Sequence, residues 1–190
     1  MDTAYISTRF LAAILAADIV ITCLHSWQEW KGDGAPLWRN FGAIVGLKIS
    51  DVWGFLVFTL ALTLTMSAIG IVGILGLIGP ACSAFALGML IGARLSDTLV
   101  SHVLLHGIGY RPNPGLMSTP LYVLEAIFVA WAFGARLSAE PGWATAGIIA
   151  GAALFIAVLP GLWLLRFVFP GQIRPAWKRW SEMPEWASHS

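Results

Sequence analysis

Eight ionisable side chains lie inside or at the ends of long apolar runs: Asp18, His25, Glu29, Arg94, Asp97, His102, His106 and Glu125. An ionisable group in an apolar medium is costly, so each is a candidate for chemistry rather than for solvation. At about 100° per residue on a helix, positions 18, 22, 25 and 29 fall on one stripe. Asp18, Thr22, His25 and Glu29 then make a polar face about 16 Å long, from the 1.5 Å rise. His102 and His106 are four apart and share a second face, with Thr98 one turn earlier. Arg94 and Asp97, three apart, can neutralise each other or face a substrate. His106 precedes Gly107 and equally suits a helix C-terminus, where a cation is favoured.

Three chemistries suit this set. The first is general acid–base catalysis on a lipophilic chain. A carboxylic acid kept neutral by desolvation protonates an alkene, and aromatic faces hold the resulting cation. In that reading His25, Glu29, Glu125, His102 and Asp18 are catalytic, while Trp27, Trp30, His106, Tyr110, Arg94 and Asp97 contact the substrate. No cofactor is expected. The second is a metal site built from His25, His102, His106 and Glu29, since two His four apart with a carboxylate suit zinc or iron. No HExxH motif is present, and four His are too few for the histidine boxes of membrane di-iron oxygenases. The third is a lipid-binding or transport protein, although inverted repeats and broken helices are not evident.

The elements that must position these groups are membrane spans. The chain has 190 residues, 58% hydrophobic and 11% charged, with a mean hydropathy of +0.78. Soluble domains carry about 25% charged residues. An all-α integral membrane bundle is therefore expected. A span needs about 20 mostly apolar residues. Five are predicted: Thr8 to Trp27, Val52 to Ile78, Ala81 to His106, Leu116 to Leu137 and Trp143 to Phe169. The whole chain, 1–190, reads as one domain with a short basic tail over 170–190, where Trp177, Trp180 and Trp186 suit an interfacial anchor. Asp18 and the bulky polar residues after it argue against a cleaved leader, so the first run reads as a retained span.

Five spans set the termini on opposite sides. Lys31, Arg39, Lys48, Arg111, Arg166, Arg174, Lys178 and Arg179 gather on one side, against Arg9 and Arg136 on the other. The positive-inside rule puts the C-terminus in the cytoplasm and the N-terminus outside, in a multi-pass protein of the cell (inner) membrane. His25, Glu29, His102 and His106 then share a depth near the cytoplasmic face, and Glu125 lies about 13 Å deeper, level with Asp18. Gly88, Gly92 and Ser96, and likewise Gly147 and Gly151, recur every four residues and suit close helix packing. Cys23 and Cys82 read as small buried hydrophobes. A net charge of +1 offers nothing to a nucleic acid. The expected partners are a lipophilic small molecule and membrane lipid, with homo-oligomerisation left open.

The segment His25-Ser-Trp-Gln28-Glu29, with the later His102…Gly109-Tyr-Arg-Pro-Asn-Pro-Gly-Leu-Met-Ser-Thr119, resembles the two sequence blocks of the HXXEE-domain family of small multi-pass membrane proteins. Gln28 stands where that family's pattern has Glu, which leaves Glu29 as the local carboxylate. His25-x-x-x-Glu29 followed by Trp30, with a later membrane Glu125, is similar to the emopamil-binding-protein-like sterol isomerases. That resemblance implies proton transfer at a lipid double bond. His25 and Glu29 would be the proton-handling pair, Glu125 a second acid, and Trp27 or Trp30 the ring facing a carbocation.

Overall fold

Ser7 begins the first helix by accepting a hydrogen bond from the Phe10 amide at 3.2 Å, an N-cap that satisfies one orphan donor. In the computed structural model, residues 7–32, 35–107 and 109–176 are described. Helix α1 spans Thr8–Lys31. A short helix, α2 (Leu37–Ile44), and a strand, β1 (Leu47–Ile49), follow. Three long helical segments come next: α3 (Asp51–Leu75), α4 (Pro80–Gly107) and α5 (Leu116–Ala132). Then come α6 (Gly134–Ala139), α7 (Pro141–Ile156), α8 (Val158–Leu165) and strand β2 (Ile173–Pro175).

Helices α1, α3 and α4 are each long and apolar enough to cross a membrane. Helix α4 is the hub, with 72% of its apolar window buried, against 28% for α1 and 17% for α3. The outer surface is apolar, with Val20, Leu64, Leu124, Ile149 and Phe167 all exposed. The buried face of α1 instead contains Asp18, Thr22, His25 and Ser26. Polar inside and apolar outside is the inverse of a soluble helix, and it suits a lipid surround.

Several sequence expectations shift. The second span stops at Leu75 because Gly76 takes a left-handed C-cap at φ 68, the conformation glycine adopts without strain. The fourth predicted span is interrupted at Phe133, which separates α5 from α6. The fifth is bent by 53° between α7 and α8. Pro160 accounts for the bend, because its ring cannot sit against the carbonyl of Ile156 in a straight helix. Cys23 and Cys82 are exposed, on faces turned away from the bundle. The expected tail anchors Trp177, Trp180 and Trp186 lie outside the described residues.

The two glycine stripes meet each other. A side chain on Gly88 or Gly92 would strike the carbonyls of Ala144 and Ile148, and one on Gly147 or Gly151 those of Phe85 and Met89. Ser96 Oγ extends the seam by donating to the Ala152 carbonyl at 3.1 Å. Backbones can approach this closely only where no Cβ intervenes. At one end of the bundle, β1 and β2 pair antiparallel, with Lys48 opposite Arg174. The α2–β1 segment and the chain after α8 thus build a second small core of Leu37, Trp38, Phe41, Leu47 and Ile173. The sequence pattern shows neither strand, because three residues are too few for a period-2 signal.

Candidate functional site

Two clusters of ionisable groups sit between α1, α4 and α5, joined by one aromatic ring. In the first, His25 Nε2 lies 3.2 Å from Glu29 Oε1 and 3.1 Å from Asp97 Oδ2. His102 Nε2 lies 3.3 Å from His25 Nε2, 3.5 Å from Glu29 Oε1 and 3.8 Å from Asp97 Oδ1. One donor atom from each of these four residues falls within 4.8 Å of the other three, a grouping able to hold a metal ion. His25, Asp97 and His102 are buried and Glu29 is half-buried.

The backbone explains how Asp97 and His102 come together. Five positions apart on an α-helix, they would point about 140° away from each other. The stretch Asp97–Leu104 is instead a π-helix, whose i→i+5 bonding stacks residues five apart. Both side chains therefore face α1. His106, expected to share a face with His102, lies beyond the π-helical stretch and is not among the four converging donors. His106 is half-buried and its Nδ1 has no hydrogen-bond partner among the described residues.

The loop before α5 holds the imidazoles from behind. Asn113 Oδ1 meets His102 Nδ1 at 2.7 Å, while its amide group donates to the carbonyls of Ser101 and His102 at 3.2 and 3.0 Å. Ser118 Oγ meets His25 Nδ1 at 2.7 Å and donates to the Gly115 carbonyl at 2.8 Å. Gly115 takes φ 91. A Cβ there would come within 2.6 Å of His102 Cε1 and 2.9 Å of His25 Cε1, so glycine is required for the loop to close over both rings.

In the second cluster the Arg94 guanidinium is fully buried. Its Nη2 donates to Asp18 Oδ1 at 3.0 Å and to the Thr22 hydroxyl, and its Nε lies 2.8 Å from Glu125 Oε2. Thr22 in turn donates to the Asp18 carbonyl at 2.8 Å. Arg94 and Asp97 therefore do not pair with each other; each serves a different cluster. Glu125 and Asp18 share one cation, each within 3.0 Å of the same guanidinium. Tyr122 links the clusters, its ring 4.3 Å from that of His25 and 4.0 Å from the Arg94 guanidinium carbon.

Two openings flank these groups. A cavity of about 30 Å³ touches both clusters, with Thr22, Glu29, Arg94, Asp97 and Tyr122 on its wall. It has room for one or two waters and no more. A groove of about 340 Å³ runs between α1 and α5, lined by Ile14, Ile21, Leu124 and Phe128, with Asp18 and Glu125 as its ionisable residues.

Of the expected site residues, Asp18, His25, Glu29, Arg94, Asp97, His102 and Glu125 converge in these two clusters. Four do not. Trp27 and Trp30 are 52% and 37% exposed and face outward, because their positions on α1 lie off the buried stripe. His106 is half-buried and outside the donor group. Tyr110 is buried in the second core beside Trp38 and Phe41, and burial pushes its phenol above the ordinary range. Asn113, Gly115, Ser118 and Tyr122 were not singled out for these roles. Tyr122 had a signal in its i,i+3 spacing to Glu125. The other three depend on a loop conformation that no periodicity reports. Comparison with protein-family models, curated proteins and solved structures finds no match.

Proposed function

We propose that this chain is an integral membrane enzyme that moves a proton onto and off a lipophilic, terpenoid-type substrate, isomerising or cyclising it. The observation that carries the reading is the apolar groove between α1 and α5 with Asp18 and Glu125 in its lining. Two carboxylates face one guanidinium there. One proton shared between the acids neutralises the trio, and it supplies a donor to carboxyl oxygens such as Asp18 Oδ2 and Glu125 Oε1 that otherwise have none among the described residues.

An alkene lying in the groove would take that proton. Its π pair forms the new C–H bond, and loss of a proton from the neighbouring carbon back to the carboxylate restores a double bond one position along. The pair ends as it began. Arg94 holds the carboxylate anion in between, and Phe128 in the groove wall offers the aromatic face that a cation needs. The cavity beside His25 is too small for such a substrate, which favours the groove as its binding place.

In this reading the chain crosses a cell membrane five times, with the N-terminus outside and the C-terminus cytoplasmic. The pairing of β1 with β2 supports that count. Paired strands lie on one side, so the number of crossings between them is even. With α3 and α4 crossing, α5 with α6 and the bent pair α7–α8 must cross together. The likeness to the emopamil-binding-protein-like sterol isomerases implies five spans and proton transfer at a lipid double bond, with Glu125 as one of the acids.

The test is deuterium incorporation. Membranes containing the wild-type chain, supplied with polyprenyl and terpenoid lipids in D₂O, should yield a product carrying solvent deuterium at carbon. Folded Glu125→Gln and Asp18→Asn variants should lose at least 90% of it. Turnover unchanged in both variants would refute the assignment.

A further inference from the structure

We infer that His25, Glu29, Asp97 and His102 form a binding site for one divalent transition-metal ion of the zinc class, through the Nε2 atom of each imidazole and one oxygen of each carboxylate.

The tautomers point that way. The Asn113 amide nitrogen is committed to two backbone carbonyls, so its oxygen faces His102 Nδ1 and requires a proton on that nitrogen. Ser118 spends its hydroxyl proton on the Gly115 carbonyl and so accepts from His25 Nδ1. Both neutral imidazoles then present Nε2 as a lone pair. These two lone pairs face each other at 3.3 Å, with two carboxylates around them. Four acceptors with no donor between them repel, and a cation at their centre turns the arrangement into coordination. Asp97 adds an independent sign. It is 2% exposed, and its Oδ1 faces the cluster with no hydrogen-bond partner among the described residues.

The spacing suits a single ion. Four ligands at about 2.0–2.1 Å from zinc in a tetrahedron lie about 3.3–3.4 Å from one another. The separations that involve an imidazole run from 3.1 to 3.8 Å, taking the nearer Asp97 oxygen for each ring. All four donors fall within 4.8 Å of one another, a set that a bound ion has to draw in slightly. Two imidazoles and two carboxylates also match a divalent charge, leaving the site neutral within an apolar bundle. Asn113 and Ser118 are the outer partners that orient metal-bound histidines in such sites. The small cavity borders Glu29 and Asp97 and also touches Arg94 and Tyr122, so an ion can reach the carboxylates, and four protein ligands then close the site. The ligands come as an i,i+4 pair on α1 and an i,i+5 pair on the π-helical part of α4, so no contiguous metal motif exists to be read. The site is separate from the Asp18–Glu125 pair, and a metal-free result would leave the deuterium test untouched.

The alternative occupant is protons alone, with both imidazoles charged. Metal analysis of the full chain, purified in lipid nanodiscs from cells grown with added zinc, iron and manganese, separates the two. Wild type should retain about one ion per chain. The double variant His25→Gln, His102→Gln should fall at least tenfold, and His106→Gln should retain the wild-type amount. After chelation, Co²⁺ titrated into wild type should produce the intense visible bands of a tetrahedral site. Asn113→Ala, which removes no ligand, should weaken Co²⁺ affinity about 10–100-fold. If the double variant fails to fold, the cobalt spectrum and the Asn113 variant decide. Wild type with less than a tenth of an ion per chain and no cobalt bands would overturn the site. So would equal metal in wild type and a folded double variant.

Discussion

Arg94 shows how much depends on single residues in this bundle. Its guanidinium is buried between Asp18 and Glu125 and lies over the ring of Tyr122. Removing one partner from a buried ion network leaves uncompensated charge and costs about 3–5 kcal/mol. Arg94→Met should therefore destabilise the protein by about that amount, read as a lowered denaturant midpoint in detergent. Adding Asp18→Asn and Glu125→Gln to the Met variant should recover a large part of the loss, because neutral amides no longer need the cation. A triple variant no more stable than Arg94→Met would show that Arg94 acts through packing alone.

At the scale of elements, the site depends on two departures from a regular α-helix. The π-helical stretch of α4 turns Asp97 to the same side as His102, and the Gly115 loop closes over both rings. Just before this irregular winding, α4 is packed against α7 along the glycine seam, which ends at Ser96. That packing is sensitive to volume. Gly147→Leu would drive a side chain into the Phe85 carbonyl, and overpacking of a close contact costs about 1–3 kcal/mol. The expected outcome is a lower thermal midpoint in nanodiscs, with Gly161→Leu, where a Cβ meets nothing within 4 Å, close to wild type. Equal midpoints for the two variants would remove the seam from the account. The α-helical period places the stripe of α1 correctly and misses the pairing of Asp97 with His102, since 100° per residue does not hold through a π-helix.

For the whole molecule, topology is the property that most needs measurement. The β1–β2 pairing sets residues 47–49 and 173–175 on one side, and five crossings would set Ser138 on the other. In a background lacking Cys23 and Cys82, a cysteine at exposed Lys48 should react with an impermeant maleimide only after the cells are opened. One at exposed Ser138 should react in intact cells. Labelling of both from outside would break the five-crossing count and the charge-based orientation together.

The sequence by itself determined that the chain is helical and apolar enough for a membrane, that α1 carries a polar stripe, and that His25, Glu29, His102 and Glu125 are worth watching. Those features follow from composition and from a 3.6-residue period, both local properties of the chain. Only the tertiary structure decided which groups meet. Arg94 went to Asp18 and Glu125, Asp97 went to the two histidines, and Trp27 and Trp30 turned outward, because partnership depends on three helices facing one another and on one stretch that leaves the α-helical period. The His25–Glu29 turn of α1 supplies two of the four converging donors; the other two meet it through the π-helical stretch of α4.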